Sequence, residues 1–448
     1  MNAFKSSVWL DALILALLWL YVFSGIAVTP FHGDEAMQVY AASDYFTVFA
    51  DGDPGRLMTQ PPYPVDSDAH LRILNGSFNR YAIGFVWQLS GFGRSDLPPP
   101  PGWQWALSVD DNIARRYLPS PGNLQAARLP SAILHGFSII MLYTLARTMG
   151  GRRAALLAAL LYTFHPALLL NGRRALQESA MLCFGMLSLW AAHRILRLEQ
   201  ENRPAHRILV WLLLVLACAL TLASKHSGII FVGAAAGWLI CADLVHPRRV
   251  MMRAGQLLLS LSAALLLFIA LSPALWNEPA ARLADLIRVR SKLIDSQVSA
   301  AGSTPDLITR MDLIITQPFM RPAQYYEAPT FDTASVHEQI QAYEQSGLAG
   351  IHWGTVGSIL LTLFAAFGIL TSLLWSSVVP VRASQWGLLI ALMVTIAALL
   401  ANPLPWQRYY LPLIALLCLY AALGVETLMR APPLSRHNQN VASFSGGH

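Results

Sequence analysis

The chain has 448 residues, of which 55% are hydrophobic and only 12% are charged. A soluble domain of this length could not bury so much apolar surface, and repeated apolar runs of about 20 residues match the length of a membrane-spanning α-helix. These runs are continuous, which excludes the alternating pattern of a transmembrane β-barrel. The net charge of +6 is attributed to Lys and Arg residues that are distributed according to membrane topology. We therefore expect no nucleic-acid partner. The sequence therefore predicts an all-α polytopic membrane protein.

Ten transmembrane spans are predicted within one domain, residues 1–430. The first span is of full length and lacks a small-residue cleavage site, so we interpret it as a retained helix. Two large loops containing short helices, 30–127 and 276–352, separate groups of spans, and the polar tail 431–448 is expected to be disordered. The predicted spans are 8–28, 129–149, 152–170, 175–197, 207–224, 228–246, 251–274, 353–375, 384–401 and 409–429.

The orientation follows from basic residues in the short loops, because Lys and Arg are enriched on the cytoplasmic side. With ten spans, the loops on the side of the termini carry eleven Lys and Arg residues, and those on the other face carry four. We therefore expect cytoplasmic termini and two large extracytoplasmic loops. The chain is predicted to be an integral protein of a bacterial inner membrane or a plasma membrane.

The four basic residues on the extracytoplasmic side break this rule together. Long basic side chains often extend to the lipid headgroups, which is one explanation for each residue alone. Their shared face, close to acidic residues, instead favours an anion-binding site. These residues are Arg173, Arg174, Lys225 and Arg408.

Two adjacent carboxylates, Asp34 and Glu35, follow the first span within the sequence Thr29–Ala36. An acidic residue at the start of a helix can serve only as an N-terminal cap. A carboxylate just outside the membrane can also act as a general base, and partial desolvation is expected to raise its pKa.

Further polar positions lie at the same ends of later spans. Glu178 begins a predicted helix, where it could cap the helix or pair with Arg174 four residues earlier. The other positions lie in Ala127–Ala132, Ser224–Ser227 and Pro403–Pro412. The candidate substrate-binding residues among them are Arg128, Lys225, His226, Arg408 and Tyr409.

The order of these elements resembles the GT-C glycosyltransferases that use lipid-linked sugars, in particular the protein O-mannosyltransferase and aminoarabinose-transferase branch. The resemblance rests on the acidic pair after the first helix, Arg128–Ala132, Gly150–Leu160 with Pro166, the Arg173–Glu178 cluster and Arg408–Pro412. It covers most of the chain. The sequence departs from some relatives because it ends soon after the tenth predicted span, so acceptor identity is not transferred from them.

The resemblance implies a polyprenyl-monophosphate sugar donor, an acceptor that is a protein, a lipid or a glycan, and inverting transfer at the extracytoplasmic face. Asp34 would be the general base, and Glu35 would support it or position the acceptor. Basic groups would stabilise the leaving phosphate. The implied substrate-binding residues are Arg128, Arg173, Arg174, Glu178, Lys225, His226, Arg408 and Tyr409.

We expect no required cofactor. His32, Asp34 and Glu35 offer ligand atoms, but no His pair at metal-ligand spacing lies near them, so no metal ligand is assigned. The four cysteines fall in apolar runs and are interpreted as small hydrophobic residues. In the loop 276–352, the segment Gln324–Glu327 could line an acceptor site or simply pack within the loop.

A polytopic transporter or flippase for a lipid-linked or anionic substrate is the alternative. Such proteins often contain internal repeats and ionisable residues at the membrane centre. No repeat is found, and the ionisable residues collect at one face. A ligase of another superfamily that uses polyprenyl carriers would share the basic cluster without needing the acidic pair.

Overall fold

The computed structural model describes residues 2–65, 67–244, 246–300, 305–374 and 379–430. Over these ranges the chain forms helices and no β-strand. The all-α fold class predicted from the sequence is confirmed. The tail 431–448, predicted to be disordered, lies outside the described residues.

The first half of the chain contains nine α-helices, a π-helix at Phe46–Ala50 and 3₁₀ turns at Pro54–Leu57 and Arg94–Asp96. The α-helices are α1 (Asn2–Ser24), α2 (Gly33–Ala41), α3 (Ser43–Tyr45), α4 (Asp68–Leu74), α5 (Ser77–Leu89), α6 (Val109–Ala114), α7 (Pro121–Phe164), α8 (Pro166–Arg173) and α9 (Glu178–Gln200).

The second half contains nine more α-helices. They are α10 (Pro204–Ser224), α11 (Ile229–Cys241), α12 (Pro247–Leu271), α13 (Pro279–Ala300), α14 (Leu307–Thr316), α15 (Ala334–Gln345), α16 (Gly354–Leu374), α17 (Val379–Ala401) and α18 (Leu411–Arg430). Short 3₁₀ turns occur at His226–Gly228, Pro273–Leu275, Pro329–Phe331 and Gln407–Tyr410.

Seven helices among the described residues are long and apolar enough to cross a membrane, which agrees with an integral membrane protein. Two shorter apolar helices, Val8–Ser24 and His226–Cys241, lie where further spans are predicted. The number of ten spans stays a prediction. The seven helices are Pro121–Phe164, Glu178–Gln200, Pro204–Ser224, Pro247–Leu271, Gly354–Leu374, Ser384–Ala401 and Gln407–Arg430.

Helix α7 covers much of two predicted spans, 129–149 and 152–170. Its backbone leaves the helical conformation at Gly151, where φ is 82°, a left-handed value that glycine adopts without the steric cost of a Cβ atom. The helix therefore changes direction where the two predicted spans meet. Asp11 of α1 bridges this break by accepting hydrogen bonds from Arg147 at 2.6 Å and Arg152 at 2.7 Å.

The core lies between helices α7, α9 and α18, with α10, α11, α16 and α17 packed around them. In α9 and α18, 78% of the most apolar window is buried, compared with 17% in α12, so α9 and α18 are central and α12 is peripheral. Glycines allow α16 and α18 to approach closely, since a Cβ atom on Gly424 would lie 2.1 Å from the carbonyl oxygen of Phe364. The central helices α9 and α18 begin beside the same cluster of charged residues.

Candidate active site

The acidic pair lies in the first turn of α2, immediately after the first apolar helix. His32 is the N-cap: its Nδ1 accepts a hydrogen bond from the Asp34 amide at 3.2 Å, and its own amide donates to Glu35 at 3.1 Å. Asp34 is therefore not the capping residue, and its carboxylate is free to face other elements.

Asp34 belongs to a closed group of ionic contacts, since it also lies 3.8 Å from His32 Nδ1. Its carboxylate pairs with the guanidinium of Arg408, which also lies 3.4 Å from Glu327, and Glu327 contacts His32 Nε2 at 2.8 Å. The Asp34 side chain is 26% exposed, whereas those of Arg408 and Glu327 are 13% and 9% exposed. Of the two carboxylates in this group of ionic contacts, Asp34 is thus the one that a substrate could reach more easily.

The electrostatics of this group hold its acids in the ionised form. Burial alone would raise the pKa of Asp34, but the charges of Arg408 and His32 outweigh it and lower the pKa. Burial would also raise the pKa of Glu327, and Arg408 and His32 again lower it. The raised pKa expected for Asp34 from desolvation is therefore wrong for this structure, because Arg408 lies beside it.

A second ion pair joins helices α9 and α10 at the same place. Lys225, directly after α10, donates to Glu178 at 2.5 Å, and Glu178 is only 3% exposed. Glu178 therefore pairs with Lys225 and not with Arg174. The ammonium of Lys225 lies 5.4 Å from the centre of the Tyr409 ring, and the guanidinium of Arg408 lies 5.9 Å from it.

Arg290 of α13 brings a third cation to Tyr409. Its guanidinium donates to the Tyr409 hydroxyl at 3.3 Å, and the side chain is half-buried. No carboxylate among the described residues lies within ion-pair distance of Arg290, in contrast to Lys225 and Arg408. One aromatic ring is therefore surrounded by three cations, one of which has no acidic partner.

The loop segment that carries Glu327 is fixed to the start of the last helix by two glutamines. The Gln324 amide donates to the Gln407 side chain at 2.8 Å, and the Gln407 amide donates to the Gln324 side chain at 2.7 Å. This reciprocal pair, which we call the glutamine clasp, places Glu327 and Arg408 beside each other. The clasp explains how a long loop contributes an acid at a defined position.

Glu35 forms a separate, fully buried pair with Arg128. Arg128 donates to both carboxylate oxygens of Glu35, at 2.7 and 2.8 Å, and to the carbonyls of Ile26 and Thr29. The amide of Ala175 also donates to Glu35 at 2.8 Å. Burial would raise the pKa of Glu35, but Arg128 lowers it. Every polar contact of this pair joins protein segments to each other.

The paired arginines after α8 also contact backbone carbonyls. Arg173 is fully buried and donates to the carbonyls of Tyr21, Val22 and Leu348 and to the hydroxyl of Tyr343. Arg174, 2% exposed, donates to the carbonyls of Pro30 and Tyr325. These arginines connect the first helix, α8 and the second large loop.

His226 lies next to Lys225 in sequence but takes part in neither the Lys225–Glu178 nor the Arg408–Asp34 ion pair. Its ring contacts Phe268 edge-on at 6.0 Å, and it lines a narrow cavity with Arg72, Arg80 and Asp44. Arg80 pairs with Asp44, and Arg72 pairs with both Asp44 and Asp68, so two carboxylates balance these two cations and disfavour an anion there.

Within the described ranges, no group of three or more His, Cys, Asp or Glu side chains is arranged to hold a metal ion. The four cysteines, Cys183, Cys218, Cys241 and Cys418, are free thiols.

The structure therefore divides the predicted site residues into two sets. The first surrounds one partly open cluster and comprises Asp34, Glu178, Lys225, Arg408 and Tyr409. The second forms buried contacts beside it and comprises Glu35, Arg128, Arg173, Arg174 and His226. Sequence reasoning did not identify Arg290, and it left Glu327 between site and loop packing. No topological signal distinguishes either residue, because both lie in the second large loop.

Comparison with known families gives one match. Residues 103–284 match the family model described as Dolichyl-phosphate-mannose-protein mannosyltransferase. This segment includes Arg128, Glu178 and Lys225 but neither Asp34 nor Arg408. No curated protein matches the chain.

Solved structures with a similar fold include the oligosaccharyltransferase of Archaeoglobus fulgidus in its apo form. It is 13% identical, the likeness covers 93% of this chain and 50% of that chain, and the TM-score is 0.52. The same enzyme tethered to an acceptor peptide gives 13% identity, coverage of 96% and 50%, and a TM-score of 0.53. ArnT of Cupriavidus metallidurans bound to undecaprenyl phosphate gives 15% identity, coverage of 93% and 77%, and a TM-score of 0.43. The present chain spans about half the length of the oligosaccharyltransferase. The predicted GT-C fold is confirmed.

Proposed function

We propose that the chain transfers a sugar, with inversion, from a polyprenyl-monophosphate carrier to an acceptor at the extracytoplasmic membrane face. The observation that carries this proposal is the cluster in which a partly exposed Asp34 lies beside cations at the ends of apolar helices. The match to a family named for a dolichyl-phosphate-mannose donor supports a lipid monophosphate carrier. The membrane would deliver that carrier laterally.

The donor phosphate would be bound by Lys225, Arg290 and Arg408, the three cations around the Tyr409 ring. In the cluster Lys225 pairs with Glu178, and Arg408 pairs with Asp34 and Glu327. Arg290 is available without breaking an ion pair, so it would meet the phosphate first. Lys225 and Arg408 would then share their hydrogen bonds between carboxylate and phosphate.

Asp34 would accept the proton of the acceptor hydroxyl or amine. The acceptor oxygen or nitrogen forms a bond to the anomeric carbon while the bond from that carbon to the phosphate oxygen breaks. The polyprenyl phosphate leaves with the electron pair and gains negative charge. Cations fixed around that oxygen stabilise the growing charge, so only one carboxylate is needed as a base.

The Asp34–Arg408 pair suggests that donor binding activates the base. Arg408 lowers the pKa of Asp34 in the free protein, which makes the carboxylate a weak base. A phosphate that attracts Arg408 would weaken this effect and raise the pKa of Asp34. The proton would then be transferred mainly when the donor is present.

The second set of residues is proposed to be structural. Arg128 and Arg173 have their guanidinium groups occupied by a carboxylate or by carbonyls and are almost completely buried. Releasing Arg128 to a ligand would leave Glu35 charged and unpaired in the interior, which is costly. We propose that these residues hold α2 and the second large loop in place around Asp34.

The proposed acceptor is a protein, a lipid or a glycan, and the proposal covers any sugar. Cytoplasmic termini and an extracytoplasmic site follow from the distribution of basic residues and remain part of the proposal. Oligosaccharyl transfer and aminoarabinose transfer are properties of the structural neighbours only.

The test is transfer of radiolabelled sugar from polyprenyl phosphate to extracted membrane acceptors by the purified chain. Asp34→Asn should reduce transfer by at least about a hundredfold, as expected for loss of a general base, and retain donor binding. Asp53→Asn is the control, because Asp53 is an exposed carboxylate of the same loop. Wild-type transfer by Asp34→Asn would refute its role. A wild-type chain that does not bind the donor would refute the function itself, whereas one that binds it without transferring sugar would favour a transporter or flippase.

A further inference from the structure

A second cavity lies apart from the Asp34 cluster. It occupies about 400 Å³ between the end of α7, the segment Pro318–Pro322 and the start of α16. Ligand sites in proteins commonly have volumes of about 300–1,000 Å³. None of the residues of the Asp34 cluster lines it. The cavity is therefore large enough for a ligand group that the proposed transfer reaction does not use.

The cavity lies at the start of a helix that could span a membrane. Helix α16 is long and apolar enough to span a bilayer, and its first residues, Gly354 and Thr355, line the cavity. Ile359 lines the cavity and is 45% exposed, and Val356 and Leu363 farther along α16 are 72% and 58% exposed. An aliphatic surface thus leads from the cavity along the helix into the hydrocarbon region.

The polar groups of the cavity favour an anion. Arg321 and His352 lie among its exposed lining residues, and no Asp or Glu of the described chain lines it. Arg321 contacts Asp312 at 3.3 Å, but both side chains are about half exposed, so this pair is weak and exchanges readily. Trp353, also in the lining, is a residue type enriched where membrane meets water.

We propose that this cavity binds the headgroup of a phosphate-bearing membrane lipid. The phosphate would contact Arg321 and His352, and an acyl chain would follow Ile359 along α16. Free phosphate would satisfy the same two side chains but would leave the aliphatic surface unused. The lining segment ends five residues before Glu327, so a bound lipid would support the loop that carries this acid.

The test uses the purified full chain in neutral detergent and fluorescent phosphatidylglycerol, with binding followed by anisotropy. The double substitution Arg321→Gln and His352→Gln should weaken binding about fivefold or more, because each basic group near an anionic headgroup contributes measurably. Arg288→Gln is the control, since Arg288 is 66% exposed and lies on α13 outside the cavity lining. Unlabelled phosphatidylglycerol should displace the probe.

Four results would overturn the proposal. Unchanged binding by the double variant would exclude Arg321 and His352 as headgroup contacts. Displacement by inorganic phosphate at the same concentration would identify a site for free phosphate, and displacement by diacylglycerol would identify an apolar groove without headgroup recognition. Arg290→Gln separates the two proposals, because it should retain phosphatidylglycerol binding while it weakens polyprenyl-phosphate binding. Loss of both would place the lipid in the Asp34 cluster instead.

Discussion

Arg290 provides the sharpest test of how the donor is held, since it can be changed without breaking an ion pair. Within the described ranges its side chain forms one hydrogen bond, to the Tyr409 hydroxyl at 3.3 Å, and the side chain is half-buried. Arg290→Gln should therefore leave the melting temperature of the chain unchanged. Lys225→Gln should lower it, because Glu178, 3% exposed, would lose its counter-ion.

The expected cost to donor binding follows from the lost contact. A hydrogen bond between a charged donor and an anion contributes about 1.5–3 kcal/mol, which corresponds to about a 10- to 150-fold change in Kd. Solvent around a half-buried guanidinium screens part of this energy, so we expect about a tenfold increase. The same increase should appear in the KM for the sugar donor, with a smaller change in kcat if the contact is made before the transition state.

Equilibrium binding of tritiated polyprenyl phosphate to the purified chain measures this effect. Arg288→Gln, two residues earlier on α13 and 66% exposed, is the matched control and should bind like wild type. An unchanged Kd for Arg290→Gln would refute the assignment of this cation to the phosphate. An equal loss of affinity in both variants would indicate a general electrostatic effect of the positive charges on α13 instead of a specific contact.

Three further predictions concern stability. Arg128→Met leaves Glu35 buried without its partner and should lower the free energy of unfolding by about 3–5 kcal/mol, measured by detergent-based denaturation. Gly424→Ala places a Cβ atom 2.1 Å from the Phe364 carbonyl oxygen and should cost about 1–3 kcal/mol in the same assay. Burial raises but Arg408 and His32 lower the pKa of Glu327, so its folded-state pKa lies below the unfolded value. Its stabilisation is present at neutral pH and is lost as the pH falls through the folded-state pKa, and Glu327→Gln should flatten the acid limb of a melting-temperature profile.

Each of these has a result that would contradict it. A stable Arg128→Met variant would mean that Glu35 is neutral or solvated. Gly255→Ala is the control for Gly424→Ala, since nothing lies within 4 Å of a Cβ atom placed there. Equal stability of the two alanine variants would show that α16 and α18 separate without cost. An acid limb that is the same in Glu327→Gln and wild type would assign it to other carboxylates.

The sequence predicted the fold class because apolar runs of spanning length are an unambiguous signal. It predicted part of the candidate cluster for a similar reason, since Lys225 and Arg408 stand out as basic residues on the predicted extracytoplasmic side, where such residues are disfavoured. Asp34 stands out because it follows the first span directly. The structure brings these three residues into one cluster.

The rest depended on tertiary contacts that no pattern encodes. Arg128 and Arg173 share the face and the chemistry of Lys225, yet carbonyl oxygens from distant segments occupy their donors. Arg290 and Glu327 are ordinary charged residues of a long loop until folding places them beside Tyr409 and Arg408. The sign of the pKa change of Asp34 was also hidden, because it depends on a residue 374 positions away.

The glutamine clasp has a consequence for how such a protein can change its specificity. Gln324 and Gln407 are 83 residues apart, and the backbone amide of each donates a hydrogen bond to the side-chain oxygen of the other. The clasp therefore holds Glu327 beside Arg408 independently of residues farther along the second large loop. Exchanging residues 328–342, between Glu327 and the Arg173 contact at Tyr343, becomes a practical route to a new acceptor preference with the donor chemistry intact.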